Sequence, residues 1–321
     1  MVIIRLMGGL GNQLQQYALY EKMRLTGHDA RLDTSWFREG AQKDVLAKRK
    51  IELGLFPRIE YKEASKEEVS RLRGCDSRAA HIIRKITGSS AFGSKHRFVE
   101  SSQYHPEIFE MDEVYLEGFW ACEKYYADIL PQLREQITFP DTLEERQKLL
   151  KKLVKADEDT CIDAIESNET SNIGSQGYVS MHIRRGDYLD DANRAMFDEI
   201  CTQKYYDAAE AYIREHVENP QFFIFSDDTG YAREHYSGDE YTVVDVNHGE
   251  DSYKDIGLMS ACSHHICANS TFSFWGSRLD DSKDKIQIRP SIHKNSQVCE
   301  PDKMHEWWKG WTIITPQGEI I

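Results

Sequence analysis

The sequence of 321 residues predicts an α/β protein built on parallel sheets. Near the N-terminus an apolar stretch, a glycine-rich turn, a helical stretch and a second apolar stretch follow in the βαβ order. In the second half strands and helices alternate, and three strands end in dense polar residues. Between the halves, residues 157–177 hold few large apolar side chains, which is typical of a linker. We expect domains at 1–156 and 178–321, and leave open that the last residues pack back on the first domain.

The elements of the first domain follow from apolar runs and from stretches with helical spacing. Strands are expected over residues 2–6, 30–33 and 114–119, and helices over 12–26, 123–136 and 141–156. Residues 38–110 are charged and uneven in pattern, so we assign no element there.

The second domain shows a more regular alternation. Strands are expected over residues 178–183, 222–225, 241–246, 265–268 and 286–288, and helices over 203–217, 251–262 and from about 273. Three strands end in Arg184-Arg185-Gly186-Asp187, Ser226-Asp227-Asp228 and Asn269-Ser270-Thr271. Because ligands bind at the carboxyl ends of strands in an open α/β sheet, these polar ends predict one ligand site.

Composition and charge exclude several classes of protein. Against 40 Lys and Arg stand 54 Asp and Glu, a formal charge of −14 that argues against nucleic acid as the main partner. No apolar run of about 18 residues predicts a membrane span, and Arg5 interrupts the apolar N-terminus, which does not resemble a signal peptide. The seven cysteines are odd in number and scattered, so we expect a reduced, cytoplasmic protein.

The segment His182–Tyr188 contains the two adjacent arginines Arg184 and Arg185. Their planar guanidinium groups suit a diphosphate, whose oxygens they can bind in pairs. Gly186 allows close approach of a ligand, and Asp187 could hold an arginine or accept from a substrate hydroxyl. The alternative is a loop held by salt bridges.

Two other segments offer helix N-termini. Gly8–Gln13 resembles a dinucleotide fingerprint but lacks its third glycine, because Leu14 stands there. Its N–H groups would suit an anion or a sugar phosphate, and the alternative is a tight turn. Asn269, Ser270 and Thr271 are good residues for a helix start, which can also bind an anion.

The paired carboxylates Asp227 and Asp228 leave several roles open. They could hold a metal ion with a nucleotide sugar, bind ribose hydroxyls, cap a helix or orient the arginines.

Four blocks, taken together and in order, resemble the α-1,2-fucosyltransferases of glycosyltransferase family 11. The blocks are Gly8–Gln13 with Gln16-Tyr17-Ala18, His182–Tyr188, Phe225–Asp228, and Leu258–Cys262 through Ala268–Gly276. The sequence departs from the family where Phe274 stands in place of a frequent tryptophan, where Arg278 replaces an apolar residue, and at Tyr231 after the aspartate pair.

The resemblance implies the GT-B arrangement, in which two Rossmann-like domains face a central cleft. It implies transfer of L-fucose from GDP-fucose, a substrate and not a cofactor, to the 2-hydroxyl of a galactose-terminated glycan, with inversion and without a metal. The implied donor residues are His182, Arg184, Arg185, Ser226, Asp227, Asp228, Asp255, Asn269, Ser270, Thr271, Phe272 and Ser273, with Asp255 reading guanine. Gly9, Gly11 and Asn12 would approach the donor near the acceptor.

The sequence leaves the catalytic base open. Asp187, Glu117 and Asp33 carry the right group, and Asn12 could orient the acceptor. Three alternatives to the main function remain: another linkage such as α-1,6, a silent nucleotide-sugar-binding protein, and a metal-dependent transferase using Asp227 and Asp228. A lipid-linked acceptor would bring the protein into peripheral contact with a membrane.

Overall fold

Each of the two units of the chain, Met1–Thr138 and Phe139–Ile321, contains one parallel sheet. This computed structural model describes residues 1–38, 41–42, 48–74, 96–101, 103–156, 177–189, 191–297 and 299–321. Two α/β units with parallel sheets were predicted and are confirmed; their facing across a cleft stays a prediction. Within the described ranges, every helix is too short or too polar to cross a membrane.

The first unit is built on a sheet of four parallel strands. They are β1 Val2–Arg5, β2 Ala30–Asp33, β3 Arg97–Val99 and β4 Val114–Glu117, in the order β2-β1-β4-β3. Its helices are α1 Leu10–Leu25, α2 Lys66–Arg73 and α3 Leu130–Gln136. Val2, Ile3 and Ile4 are fully buried, as expected of a central parallel strand.

The second unit is built on a sheet of six parallel strands. They are β5 Tyr178–Ile183, β6 Gln221–Ser226, β7 Tyr241–Val244, β8 His264–Ile266, β9 Gln287–Pro290 and β10 Thr312–Ile314. Its helices are α4 Leu143–Ala156, α5 Asp191–Phe197, α6 Gln203–His216, α7 Thr229–His235, α8 Lys254–Met259, α9 Thr271–Leu279 and α10 Pro301–Trp307.

The strand order of this second sheet is β10-β9-β8-β5-β6-β7. Counted within the unit, it is the dinucleotide-fold order 3-2-1-4-5-6. The connections run in opposite directions on either side of the β5–β8 pair, so the switch point of the sheet lies there. An open crevice is expected at the carboxyl ends of these two strands.

The domain boundary differs from the predicted one. Helix α4 was assigned to the first domain, but it belongs to the second unit. Its Leu150 is fully buried against Phe223 and Leu258, and the Arg146 Nη1 donates to the Gly257 carbonyl at 2.8 Å. The boundary therefore lies between residues 138 and 139, and residues 157–176 of the predicted linker fall outside the described ranges.

The C-terminal end also belongs to the second unit. Strand β10 pairs in parallel with β9, and the buried Trp308 and Trp311 pack on Phe274. Residues 299–321 therefore pack within the second unit, and the alternative that they pack back on the first domain stays a prediction.

The predicted helix 123–136 is shorter than expected. Two 3₁₀ turns, Glu123–Tyr125 and Ala127–Ile129, precede α3. Proline at residue 131 lacks an N–H and is tolerated only in the first turn of a helix, so the α-helix begins beside it.

Candidate functional site

The polar strand ends of the second unit meet at the switch point. Arg184 and Arg185 follow β5, Asp227 and Asp228 follow β6, and Ser270 follows β8 and precedes α9. Since β5 pairs with both β6 and β8, the three loops are neighbours along one edge. The three polar strand ends therefore lie together as predicted, and their binding of a ligand stays a prediction.

The two arginines are held by the two aspartates. Arg184 Nη1 lies 2.7 Å from Asp227 Oδ2, and Arg185 Nε lies 3.3 Å from Asp228 Oδ2. The Arg185 guanidinium also lies 3.7 Å from the centre of the Tyr231 ring. With side chains 26% and 32% exposed, Arg184 and Arg185 are fixed in place yet accessible to a ligand.

The Asp227 carboxylate also fixes the backbone of the arginine loop. It accepts a hydrogen bond from the Arg185 N–H at 2.9 Å. A Cβ on Gly186 would overlap this carboxylate, with the Asp227 Cγ only 2.9 Å away, so the loop requires glycine there. The backbone of Asp187 lies in the 3₁₀ turn Gly186–Leu189, and its side chain lies outside the described part.

Asp228 has a second task as the cap of α7. Its Oδ1 accepts from the Tyr231 N–H at 3.0 Å, and its own N–H donates to the Ser226 hydroxyl at 3.0 Å. Of the roles left open, orienting arginines and capping a helix are thus the ones with visible contacts. Across the described ranges, no three His, Cys, Asp or Glu side chains converge as metal ligands.

His182 contributes a neutral ring at the end of β5. It is only 6% exposed, and burial, with a smaller effect of Arg184, lowers its pKa to about 4. Its Nδ1 has no hydrogen-bond partner in the described residues, and its ring centre lies 6.0 Å from that of Phe272. The uncharged Nδ1 is therefore buried, with its hydrogen-bonding capacity unused by the described residues.

The start of α9 is fixed by buried polar groups. The Asn269 amide donates to the carbonyls of Phe197 and His293, both at 3.3 Å, and the Tyr188 hydroxyl donates to the Asn269 carbonyl at 3.0 Å. The Ser273 hydroxyl donates to the Ser270 carbonyl at 3.1 Å, and Thr271 is buried. Asn269 and Ser273 therefore order the loop, and the Ser270 side chain makes no bond to the helix start.

Asp255 lies in the first turn of α8, next to the loop that follows β7. Asn247 Nδ2 donates to its Oδ1 at 2.7 Å. Burial raises the pKa of Asp255 to about 6, so the carboxylate is mostly ionised at neutral pH. The structure places it at the β7 side of the same sheet edge, beyond β6.

The glycine loop of the first unit is internally ordered. Gly8 has φ +84°, and a Cβ there would come within 2.6 Å of the Asn12 Nδ2. Gln13 Nε2 donates to the Gly8 carbonyl at 3.0 Å and to the Lys50 carbonyl at 2.9 Å. Gly9 precedes α1 and Gly11 lies in its first turn. These residues stand in the first unit, apart from the arginine loop along the chain.

Two candidate bases are already engaged in the first unit. Asp33 is 2% exposed and accepts from the Ser35 N–H at 2.9 Å and from the Tyr115 hydroxyl at 2.7 Å. Glu117 is paired with both Arg5 and Arg97. Both carboxylates are therefore held by other groups of the first unit, Asp33 in the interior and Glu117 between two arginines.

Two contributors were missed by the sequence analysis as site residues. Tyr231 covers Arg185, and Asn247 holds Asp255. The aromatic residue three positions after Asp228 was a usable signal, because residues three apart at the start of a helix lie on the same side, which places Tyr231 near the end of the strand. Asn247 carried no signal beyond its place after β7.

Comparison with known proteins identifies the family to which the chain is similar. The model of the family described as "Glycosyl transferase family 11" matches residues 107–315. An "Alpha-1,2-colitosyltransferase" from Escherichia coli is 28% identical, covering 90% of this chain and 91% of that protein. An "O-antigen biosynthesis glycosyltransferase WbnK" from the same species is 27% identical over 89% and 92%. A "Galactoside alpha-(1,2)-fucosyltransferase 1" from Ateles belzebuth is 27% identical over 51% and 42%.

Proposed function

Because the chain belongs to glycosyltransferase family 11, we propose that it transfers L-fucose from GDP-fucose to the 2-hydroxyl of a galactoside in a glycan, with inversion. The names of two relatives, an α-1,2-colitosyltransferase and a galactoside α-(1,2)-fucosyltransferase, support an α-1,2 linkage. The observation that carries the proposal is the arginine pair at the switch point, held by two aspartates.

The arginines would act on the leaving group. The acceptor hydroxyl attacks the anomeric carbon of fucose while the bond to the diphosphate breaks, so negative charge grows on GDP. Arg184 and Arg185 are already oriented by Asp227 and Asp228, so little reorganisation is needed when that charge forms. The N–H groups at the start of α9, with the Ser270 hydroxyl, would add donors on the other side.

Asp255 would read the guanine base. An ionised carboxylate can accept from the ring N–H and the amino group of guanine together, and Asn247 orients one of its oxygens. His182, whose buried Nδ1 has no partner among the described residues, would accept from or donate to a hydroxyl of the donor sugar nucleotide. Asp227 and Asp228 serve the site through the arginines, in keeping with a reaction that needs no metal ion.

The acceptor side would involve the first unit. We propose that Asn12 orients the acceptor hydroxyl and that the backbone at Gly9 and Gly11 lets the sugar approach. With Asp33 and Glu117 engaged in other bonds, Asp187 stays the carboxylate candidate for the base. Cys201, Cys262, Cys267 and Cys299 have free thiols, as expected in a reducing compartment, and we place the enzyme in the cytosol. A lipid-linked acceptor would bring it to the membrane surface.

A second donor is favoured by one specific observation. The alignment with the relative named as a colitosyltransferase covers 90% of this chain, at 28% identity. GDP-linked colitose should therefore be compared with GDP-fucose.

The proposal is tested by mixing the protein with each donor and a panel of β-galactosides in EDTA, and measuring GDP release. Release that depends on both GDP-fucose and an acceptor supports a metal-independent fucosyltransferase. Turnover with the colitose donor only would reassign the donor. Binding of GDP-fucose without release for any acceptor, or activity only with added divalent cation, would contradict the proposal.

A further inference from the structure

A cavity of about 240 Å³ opens in the first unit at the carboxyl end of β2. The residues after β2 form one wall, and α2 forms the other. Its polar lining residues are Asp33, Ser35, Arg38, Lys66, Ser70 and Arg73. None of them belongs to the donor site described above.

The lining carries more positive than negative charge. Its single carboxylate, Asp33, already accepts from Ser35 and Tyr115. Arg38 is half-exposed and stands 3.7 Å from the Glu63 carboxylate, which also faces this region. Lys66 is exposed and forms no ion pair within the described part of the chain.

The guanidinium of Arg73 lies against the ring of Tyr115. Its guanidinium carbon lies 5.9 Å from the centre of the Tyr115 ring, on the face of β4 beside the cavity. Arg73 and Lys66 belong to the same helix, α2, whose capping box between Ser65 and Glu68 holds the first turn in place. The two cations therefore stand at the two ends of one capped helix.

Guanidinium, ammonium and hydroxyl groups on one concave surface suit a small oxyanion. The volume lies below the range of about 300–1,000 Å³ that is typical for drug-sized ligands, so a single charged group or one sugar residue fits it better. Because β2 is the neighbour of β1 and the two strands are parallel, the cavity and the glycine loop lie at the same edge of the first sheet. Carboxyl ends of parallel strands are where ligands bind in such sheets.

We propose that this cavity binds an anionic group of the acceptor glycan, either a phosphate or the carboxylate of an acidic sugar. The assignment to an acceptor rests on the proposed function, whereas the binding of an anion does not. The transferase would then prefer acceptors that carry negative charge near the terminal galactose.

Anion binding is measured by calorimetry on the whole protein, with GDP at saturation and again in the Arg184→Ala variant, so that the donor site is closed or weakened. The probes are inorganic phosphate and glucuronate. Replacing Lys66→Gln or Arg73→Gln should weaken binding at least five-fold. The matched controls Lys62→Gln and Arg71→Gln, whose side chains lie outside the cavity, should leave it unchanged.

Tighter binding of phosphate would assign a phosphate-bearing acceptor, and tighter binding of glucuronate an acidic sugar. Equal affinity in the wild type and in both Lys66→Gln and Arg73→Gln, or no saturable binding of either probe, would overturn the inference. Lys66 is exposed, so its substitution tests the cavity without a folding defect.

Turnover separates this inference from the proposed function. Two acceptors with the same terminal β-galactoside, one neutral and one with the charged group, should differ in KM at least five-fold, and Lys66→Gln should shrink that difference. Equal KM values would overturn the inference while leaving the fucosyltransferase assignment intact. Anion binding that depends on Lys66, without turnover of any acceptor, would support the cavity and contradict the assignment.

Discussion

Replacing Arg184 with alanine removes one of the two cations held at the switch point. Two consequences of the substitution set the size of the expected loss in rate. Loss of one preorganised contact to a developing negative charge costs about 2.7–4 kcal/mol, or about 10²–10³ in rate. The variant also leaves the Asp227 carboxylate, 2.7 Å from the missing group, without that partner beside the diphosphate. We therefore expect kcat to fall at least 100-fold.

The effect on folding should be small by comparison. Arg184 and Asp227 are each about a quarter exposed, and ion pairs of this kind contribute about 0–1 kcal/mol to stability. For a unit of this size that amounts to a Tm shift of at most about 4 °C. Thermal unfolding of the variant separates a catalytic loss from a folding loss.

The assay is GDP release from GDP-fucose with the best β-galactoside acceptor. Arg194→Ala is the matched control, since Arg194 is an exposed arginine of the same unit that pairs with Asp198 at 3.7 Å. Arg194→Ala should retain wild-type turnover. An Arg184→Ala enzyme that is folded and within ten-fold of the wild-type kcat would refute the reasoning that the arginine stabilises the leaving group.

Three further results are expected. GDP affinity should fall as pH drops through about 6, because the carboxylate of Asp255, whose pKa burial raises to about 6, becomes protonated and no longer accepts from guanine. Calorimetry should show this loss, and Asp255→Asn should bind GDP at least ten-fold more weakly with a flat pH profile. Gly186→Ala should weaken GDP binding about ten-fold or more, since its Cβ displaces Asp227; unchanged affinity would speak against that contact. Burial lowers the folded-state pKa of His265 below its ordinary 6.5. The contribution of this histidine to the free energy of unfolding is therefore fully present above that pH, and below it the free energy of unfolding declines by at most about 1.4 kcal/mol per pH unit. Denaturant unfolding at pH 7.5 and 5.5 should show the decline in the wild type and less of it in His265→Gln.

The pH effect on stability has a structural basis in the core. The His265 ring is fully buried, with Nδ1 2.8 Å from the Ser180 hydroxyl and Nε2 3.0 Å from Asp280. A neutral ring that accepts at Nδ1 and donates at Nε2 satisfies both partners. Protonation would turn Nδ1 into a donor and force the hydroxyl to reorient.

Much of the fold was predictable because local patterns and tertiary burial agree. The run Val2–Ile4 is apolar and fully buried, and the left-handed φ of Gly8 requires a glycine in the turn before α1. The strand β5 and its polar end were likewise predicted within a residue. Short edge strands such as β3 and β10, of three residues each, carry too little pattern to be found in a sequence.

The domain boundary was not predictable for a different reason. The spacing of apolar residues in α4 shows that the helix has a buried face, but it does not show which sheet that face covers. Leu150 could have packed on either unit, and the contacts to Phe223 and Leu258 decide it.

The position of the candidate site at the sheet edge was predictable, but the roles of its individual residues were not. Sequence order placed Arg184, Asp227 and Ser270 at neighbouring strand ends. It did not show that the Asn269 amide would donate to two backbone carbonyls, or that Asp33 would be buried and accept from the Tyr115 hydroxyl. Hydrogen bonds between distant segments fix these roles, and a single sequence contains no record of them.

The most direct test of the account is the linkage of the product formed from GDP-fucose and a β-galactoside. Nuclear magnetic resonance of the purified product reads both the anomeric configuration and the substituted hydroxyl. The account predicts an α-fucosyl residue on the 2-hydroxyl of galactose. A product fucosylated elsewhere, one that retains the donor's anomeric configuration, or hydrolysis of GDP-fucose without transfer would contradict it.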